Sequence, residues 1–228
     1  MLKAAIFDID GTLIDAVDFD AEAWQRAFHH FGYIDIQFDE VRSQIGKGGD
    51  QLLPVFLSKE EIERIGKQLE EYRSDLFRRE YLHRIRPFPK VRELFMRLKK
   101  DGYQLALASS SNEQDLEEYK RIANIADLLE AQTSSDNAEK SKPAPDIFEA
   151  ALQNLGKLKP EEAVVIGDTP YDAQAASKSG IQEIIGVLCG GFAEADLRQG
   201  GCCEIFRNPA DLLEHYERSP FAQTRKAA

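Results

Sequence analysis

An α/β chain with a doubly wound parallel sheet is the fold class the sequence predicts. Two observations carry it. Short apolar runs alternate with helical patterns over most of the 228 residues. The runs are continuous rather than alternately polar, as strands covered on both faces require. A third observation adds to the architecture: residues 17–86 carry only helical patterns, which predicts an α-helical cap domain inserted into the core.

The strand segments are Lys3–Ile9, Tyr103–Ser109, Ala163–Gly167 and Glu183–Val187, with weaker ones at Leu128–Ala131 and Cys203–Phe206. Between them, Val91, Leu94, Phe95 and Leu98 repeat at helical spacing, with Pro89 near the start and Gly102 past the end. Ser111 with Gln114 reads as a capping box for the next helix. Pro145 suits the first turn of a helix running to Gly156, and another helix spans Tyr171 to Gly180. In the insert, Phe19, Ala23, Trp24, Ala27, Phe28 and Phe31 form one apolar stripe. Ser58 and Glu61 form a second capping box, opening a helix through Leu69 and Leu76. The expected division is a core of 1–16 and 87–216, a helical cap of 17–86 and a weakly ordered tail of 217–228.

Composition narrows the function classes. The chain is 43% hydrophobic with a net charge of -11, which argues against a broad nucleic-acid footprint. It shows no cationic, apolar leader and no run of about 20 apolar residues, so no membrane partner is expected. Cys189, Cys202 and Cys203 are too few and wrongly spaced for a disulfide framework or a paired thiolate site. Structural thiols in a reducing cytoplasm are the expectation.

Four features that carry chemistry recur in one order. They are Asp8-Ile9-Asp10-Gly11-Thr12, then Ser109, then Lys142 in Ser141-Lys142-Pro143, then Gly167-Asp168-Thr169-Pro170-Tyr171-Asp172. Three of the four stand at strand C-termini, where an open α/β sheet places its ligand crevice. Asp8, Asp10 and Asp168 suit a hard divalent ion such as Mg2+. A lysine and a serine hydroxyl are donors for phosphoryl oxygens. A carboxylate attacking phosphorus gives an aspartyl phosphate, and a second carboxylic acid can protonate the leaving oxygen and then activate water.

Each feature alone is weak. An Asp-x-Asp is often a turn. Ser109 alone reads as a strand-end cap, with Ser110 and Ser111 leaving a register ambiguity. Asp172 also suits the first turn of a helix as a favourable charge. In the insert, Gly46-Lys47-Gly48-Gly49 is either a plain connector or a loop bringing a cation over the crevice. Asp20 touches substrate or merely opens a helix. His29 and His30 have no metal-ligand partner at i+4 and read as structural or exposed.

In combination, these residues resemble the four motifs of the haloacid dehalogenase superfamily, in order and local context, over nearly the whole chain. The insert after the first motif resembles that superfamily's cap. The resemblance implies a Rossmann-like core, with Asp8 as nucleophile and Asp10 as general acid/base. It implies that Ser109 and Lys142 hold the phosphoryl group, with Gly11, Thr12, Ser110 and Lys47 as further substrate contacts. Mg2+ would be bound by Asp8, the Asp10 backbone carbonyl and Asp168, with Asp172 as a further metal partner. Departures narrow the class. Dehalogenase members lack the second acid that Asp10 supplies. Mutases of the β-phosphoglucomutase type have a threonine and a histidine where Ala16 and Asp20 stand, and a glutamate where Gly167 stands. The expectation is a Mg2+-dependent phosphomonoester hydrolase, resembling phosphoglycolate phosphatase, acting on a small phosphorylated metabolite as monomer or homodimer. The rivals are a phosphosugar mutase and a non-catalytic domain that binds phosphometabolites.

Overall fold

The computed structural model describes residues 1–222. Strands β1 (Ala4–Phe7), β2 (Gln104–Ala108), β3 (Ala131–Thr133), β4 (Ala163–Gly167), β5 (Glu183–Val187) and β6 (Glu204–Phe206) form one sheet. Every pairing in it is parallel, and the order is β3-β2-β1-β4-β5-β6. The doubly wound sheet is therefore present, with a switch point between β1 and β4, from which successive strands run outward in opposite directions.

Strand alternation splits the core into two layers. Ala5, Phe7, Leu105, Leu107, Val164 and Ile166 belong to one apolar cluster. Their neighbours Ala4, Ile6, Ala106, Ala108, Ala163 and Val165 belong to another. Residues two apart face the same way, so each strand feeds both layers and reads as a continuous apolar run.

The insert comprises α1 (Val17–His30), α2 (Phe38–Arg42), α3 (Gly49–Phe56), α4 (Lys59–Glu61), a π-helical stretch Ile62–Gly66 and α5 (Lys67–Glu80). Ser58 and Glu61 do form the reciprocal cap, but one π turn intervenes before the regular helix that follows. Val17, Trp24, Phe28, Val41, Leu52 and Leu69 make a third apolar cluster, so the insert carries its own core. Burying Trp24 or Phe28 stabilises by roughly 1.5–3 kcal/mol each. The boundary is not clean, because Ala23, Leu76, Phe77 and Tyr81 pack with the core residues Phe95 and Leu107.

The remaining helices are α6 (Val91–Lys100), α7 (Glu113–Ala123), α8 (Asp146–Asn154), α9 (Pro170–Lys178), α10 (Glu194–Gly200) and α11 (Pro209–Glu214). Two local expectations shift. The third strand starts at Ala131 because a 3-10 turn occupies Ala126–Leu128. The cap of α7 is Asn112, whose side chain accepts from the Asp115 amide, not Ser111. The weakly ordered tail expected from residue 217 is corrected over 217–222. Phe221 is fully buried, its ring 5.1 Å from Tyr103 and 5.9 Å from Tyr216, and Tyr103 Oη donates to its carbonyl. Residues 223–228 of that expected tail lie outside the described residues. Among the described residues, no helix is long and apolar enough to cross a membrane.

Candidate active site

β1 delivers Asp8 to the carboxyl edge of the sheet, where its amide donates to the Ile166 carbonyl of β4 at 2.9 Å. The next register position along β4 brings Gly167 and then Asp168 to the same edge. The chain then turns sharply. Leu13 and Ile14 amides return to the Ile9 carbonyl at 2.8 and 3.1 Å, and Gly11 adopts φ +78°. A side chain at Gly11 would collide with the Asp168 carboxylate, and one at Gly190 would strike the same oxygen. Two glycines thus hollow out the space Asp168 occupies.

Lys142 is fully buried beneath this edge. Its Nζ lies 2.6 Å from Asp8 Oδ1 and 2.7 Å from Asp172 Oδ1, and donates to the Ala108 carbonyl at 2.7 Å. Burial opposes the ammonium charge, but Asp172 and Asp8 outweigh it and hold Lys142 above its ordinary range. Burial pushes the Asp8 carboxyl up to about 7, against the pull of Lys142. Burial, with the charges of Asp8 and Asp172, pushes Asp168 well above the usual carboxylate range.

The donor set fits a divalent cation. Carboxylate oxygens of Asp8, Asp168 and Asp172 lie within 4.8 Å of one another. Asp168 Oδ1 accepts from Thr12 Oγ1 at 2.9 Å, whereas Oδ2 is buried with no hydrogen-bond partner among the described residues. An orphaned buried oxygen among three acids and one lysine is a deficit of positive charge, and an all-oxygen set favours a hard ion.

Above this floor lies a cleft of about 390 Å3, with Asp8 and Asp10 at its base and the insert's 45–50 loop and Arg73 on its wall. Ser111 Oγ donates to Asp10 Oδ2 at 3.0 Å. Burial raises Asp10 to about 6, while the Ser111 hydrogen bond and Arg73 restrain the shift. The insert touches the core around the rim. Ser110 Oγ donates to the Gly46 carbonyl at 3.2 Å, Tyr171 Oη to Ser43 at 2.7 Å, and Arg42 Nη2 to Gly190 at 3.2 Å.

The sequence candidates separate into three groups. Asp8, Lys142, Asp168 and Asp172 come together directly, with Thr12 joined to Asp168. Asp172 Oδ2 also accepts from the Thr169 amide and hydroxyl, so it caps α9 as well. Asp10, Ser110 and Lys47 line the cleft, and Lys47 Nζ lies 4.6 Å from the Tyr171 ring centroid. Ser109 and Thr12 are fully buried below it, where Ser109 Oγ accepts from the Ser111 amide at 3.1 Å. Asp10 directs its side chain to Ser111 and not into the three-acid cluster.

Arg73 escaped the sequence reading. It pairs with Asp20 across the cleft wall and stacks on Trp24 and Phe77, at 5.3 and 5.1 Å from the ring centroids. On the sequence it is one charge among many on a polar helix. The apolar stripe around Trp24 and the helical repeat of Leu69 and Leu76 were the signals of buried faces there. Asp50 and Glu70 were also unmarked. His30 stacks on Tyr72 and belongs to packing. Cys189 donates its S–H to the Gly11 carbonyl at 3.1 Å, and burial holds its thiol far above the ordinary range.

A Rossmann-like α/β core with acids at its switch point places the candidate site where α/β proteins bind their ligands. The model of the haloacid dehalogenase-like hydrolase family matches residues 5–186, and the chain belongs to that family. The protein is 30% identical over 183 residues to a phosphoglycolate phosphatase of Aquifex aeolicus, covering 78% of this chain and 82% of that one. It is 28% identical over 191 residues to a phosphorylated carbohydrates phosphatase of Thermotoga maritima, covering 82% and 86%. Among solved structures, a hydrolase from Pseudomonas syringae superposes with a TM-score of 0.85 at 26% identity, covering 95% of this chain and 98% of that one. With such relatives, the chain is an enzyme of phosphatase type.

Proposed function

We propose that the protein hydrolyses phosphate monoesters of small metabolites by two successive displacements at Asp8. The observation that carries this reading is the pairing of Asp8 with the fully buried Lys142 at 2.6 Å, beside a second acid, Asp10, on the cleft floor. Lys142 fixes the carboxylate's orientation and lowers the repulsion that an incoming phosphoryl group meets. Asp8 attacks phosphorus, and Asp10, raised to about 6, donates its proton to the leaving alcohol. Asp10, now a carboxylate held by Ser111, accepts a proton from the water that cleaves the aspartyl phosphate. Ser109 and Ser110 are the assigned donors to the phosphoryl oxygens; Lys142 has its three N–H groups on Asp8, Asp172 and the Ala108 carbonyl and would turn one of them to the substrate.

Asp8, Asp168 and Asp172, with the Asp10 carbonyl, are the residues proposed to hold Mg2+. When bound, the ion would supply charge neutralisation and Lewis acidity toward phosphoryl oxygens. The helical insert is assigned as a cap that excludes water and contacts the leaving alcohol.

The mutase alternative is disfavoured by Gly167. A side chain there would lie 2.5 Å from Asp172 Cβ, so a glutamate at that position is incompatible with the observed Asp172. The test is phosphate release from a panel of small phosphate esters in Mg2+, with wild type and Asp8→Asn. Isomerisation of a sugar phosphate faster than its hydrolysis would overturn the reading, as would retained turnover in the variant.

A further inference from the structure

Asp10 is held by a corner of the core that the insert also touches. Its Oδ2 accepts from Ser111 Oγ at 3.0 Å. Ser111 stands one residue before Asn112, the cap of α7. A hydroxyl orients a carboxylate only as well as its own backbone is fixed. Within the core, the Ser111 amide donates to Ser109 Oγ at 3.1 Å, and its carbonyl accepts from the Ser135 amide at 3.0 Å.

A third tie comes from the insert. Arg78, in the last turn of α5, donates from Nε to Asp115 Oδ1 at 2.8 Å and from Nη2 to Asn112 Oδ1 at 3.5 Å. Asp115 is buried in the first turn of α7. It is locked to Asn112 from both sides. Asn112 Nδ2 donates to Asp115 Oδ2 at 2.8 Å, and the Asp115 amide donates to Asn112 Oδ1 at 2.9 Å. The planar guanidinium therefore spans both members of the cap, which a point charge such as an ammonium does not do. The neighbouring Arg79 differs: it pairs with Glu80 beside it on the same helix and is mostly exposed. Arg78 does not line the cleft, so it reaches the chemistry only through the residues it holds.

We propose that Arg78 is a positioning residue for Asp10. By clamping Asp115 and Asn112 from the insert, it fixes the Ser111 backbone and hence the hydroxyl that orients the carboxyl. The inference rests on the phosphatase reading, in which Asp10 protonates the leaving alcohol.

The leaving group supplies the test. An alkoxide needs a proton to depart, whereas p-nitrophenolate leaves without one. The constant kcat/KM covers the steps up to that departure and omits the later hydrolysis of the aspartyl phosphate. Arg78→Met is expected to lower it by about tenfold for sn-glycerol 3-phosphate, the worth of about one oriented hydrogen bond. For p-nitrophenyl phosphate the expected loss is less than about threefold. Asp10→Asn sets the scale, with the same contrast at about 100-fold or more on the alkyl ester. If Asp10→Asn shows no contrast, the proton-donor reading falls. In a Ser111→Ala background, Arg78→Met should cost nothing further, because both act along one line of contacts. Equal losses on the two esters, or additive losses in the double variant, overturn the proposal.

Arg78→Met alone strands the buried Asp115. Arg78→Met/Asp115→Asn removes both charges, and the same selective loss is expected there if the single variant does not fold. A readout without turnover is the carbon-13 carboxyl signal of Asp10, assigned by its loss in Asp10→Asn. Arg78→Met should move it in the direction in which Ser111→Ala moves it, and an unmoved signal overturns the proposal. If wild type hydrolyses neither ester, the phosphatase reading falls, and that signal still decides the positioning.

Discussion

The floor and the wall of the cleft are built on opposite terms. On the floor, Lys142 makes three polar contacts and bridges two acids, while Asp168 is anchored by Thr12. These groups stand on or just beyond strand ends whose positions the parallel register sets. On the wall, Glu70 of α5 and Asp50 in the first turn of α3 line the cleft with Lys47 and Arg73, and the charge of Asp50 adds to burial in holding the Glu70 carboxyl above its usual range. On the proposed function, the floor meets the phosphoryl group and the insert meets the alcohol attached to it. The two sets of residues are tied, because the Ser141 amide, next to Lys142, donates to Asp50 Oδ2 at 3.1 Å.

The largest expected effect is on the floor. Asp8→Asn keeps the shape of the side chain but removes the nucleophile, and turnover should fall by about 10^4-fold or more in a phosphate-release assay. Lys142→Met should come next. Leaving Asp8 and Asp172 buried without their counter-charge should lower stability by about 3–5 kcal/mol, read from urea unfolding. If that variant is as stable as wild type, the floor is not the tightly coupled unit described.

The floor also predicts a pH dependence. In EDTA, the folded protein holds Asp8 at about 7 and Asp10 at about 6, both raised above their ordinary values by burial. At pH 4–7 the folded state therefore binds more protons than the unfolded state, and stability falls as pH rises through that window, by up to about 1.4 kcal/mol per pH unit for each of the two groups. Asp168→Asn should flatten this slope in thermal melts, since Asp168 shifts in the same direction. Mg2+ added at pH 7 should raise the wild-type melting temperature more than that of the variant.

Smaller effects belong to the junction between floor and wall. Ser111→Ala should lower kcat by about tenfold, through loss of the hydroxyl that orients Asp10. Tyr171→Phe removes the hydrogen bond to Ser43 that ties the insert to the core. It should raise KM about threefold with a smaller change in kcat. An equal loss in both would mean that Tyr171 serves the chemistry and not the seating of the insert.

Much of this was legible in one dimension. The apolar runs ending at Asp8, Ser109 and Gly167 mark strands buried on both faces, and parallel pairing fixes their carboxyl ends on one edge. That logic puts Asp8, Ser109 and Asp168 on one edge, whereas Lys142, which ends no strand, joins them through its chemistry and Asp172 through the family resemblance. The start of β3 moved by a few residues, because a local 3-10 turn precedes it and Thr133 is fixed by its hydroxyl donating to the distant Leu107 carbonyl. The cap of α7 lies one residue beyond the expected Ser111: Asn112 accepts from the Asp115 amide, and the Ser111 hydroxyl donates to Asp10, 101 positions away. The burial of Phe221 was likewise invisible, because its partners Tyr103 and Tyr216 declare no pattern that reaches a polar C-terminal stretch.

The sequence by itself determined the fold class and the chemical identity of the floor, because periodicity and strand-end motifs are local properties of the chain. Only the tertiary structure decided the wall. Arg73 against Asp20, and Glu70 against Asp50, are meetings of residues on separate helices and loops, and charges of that kind look like ordinary solvated surface until packing removes the water around them.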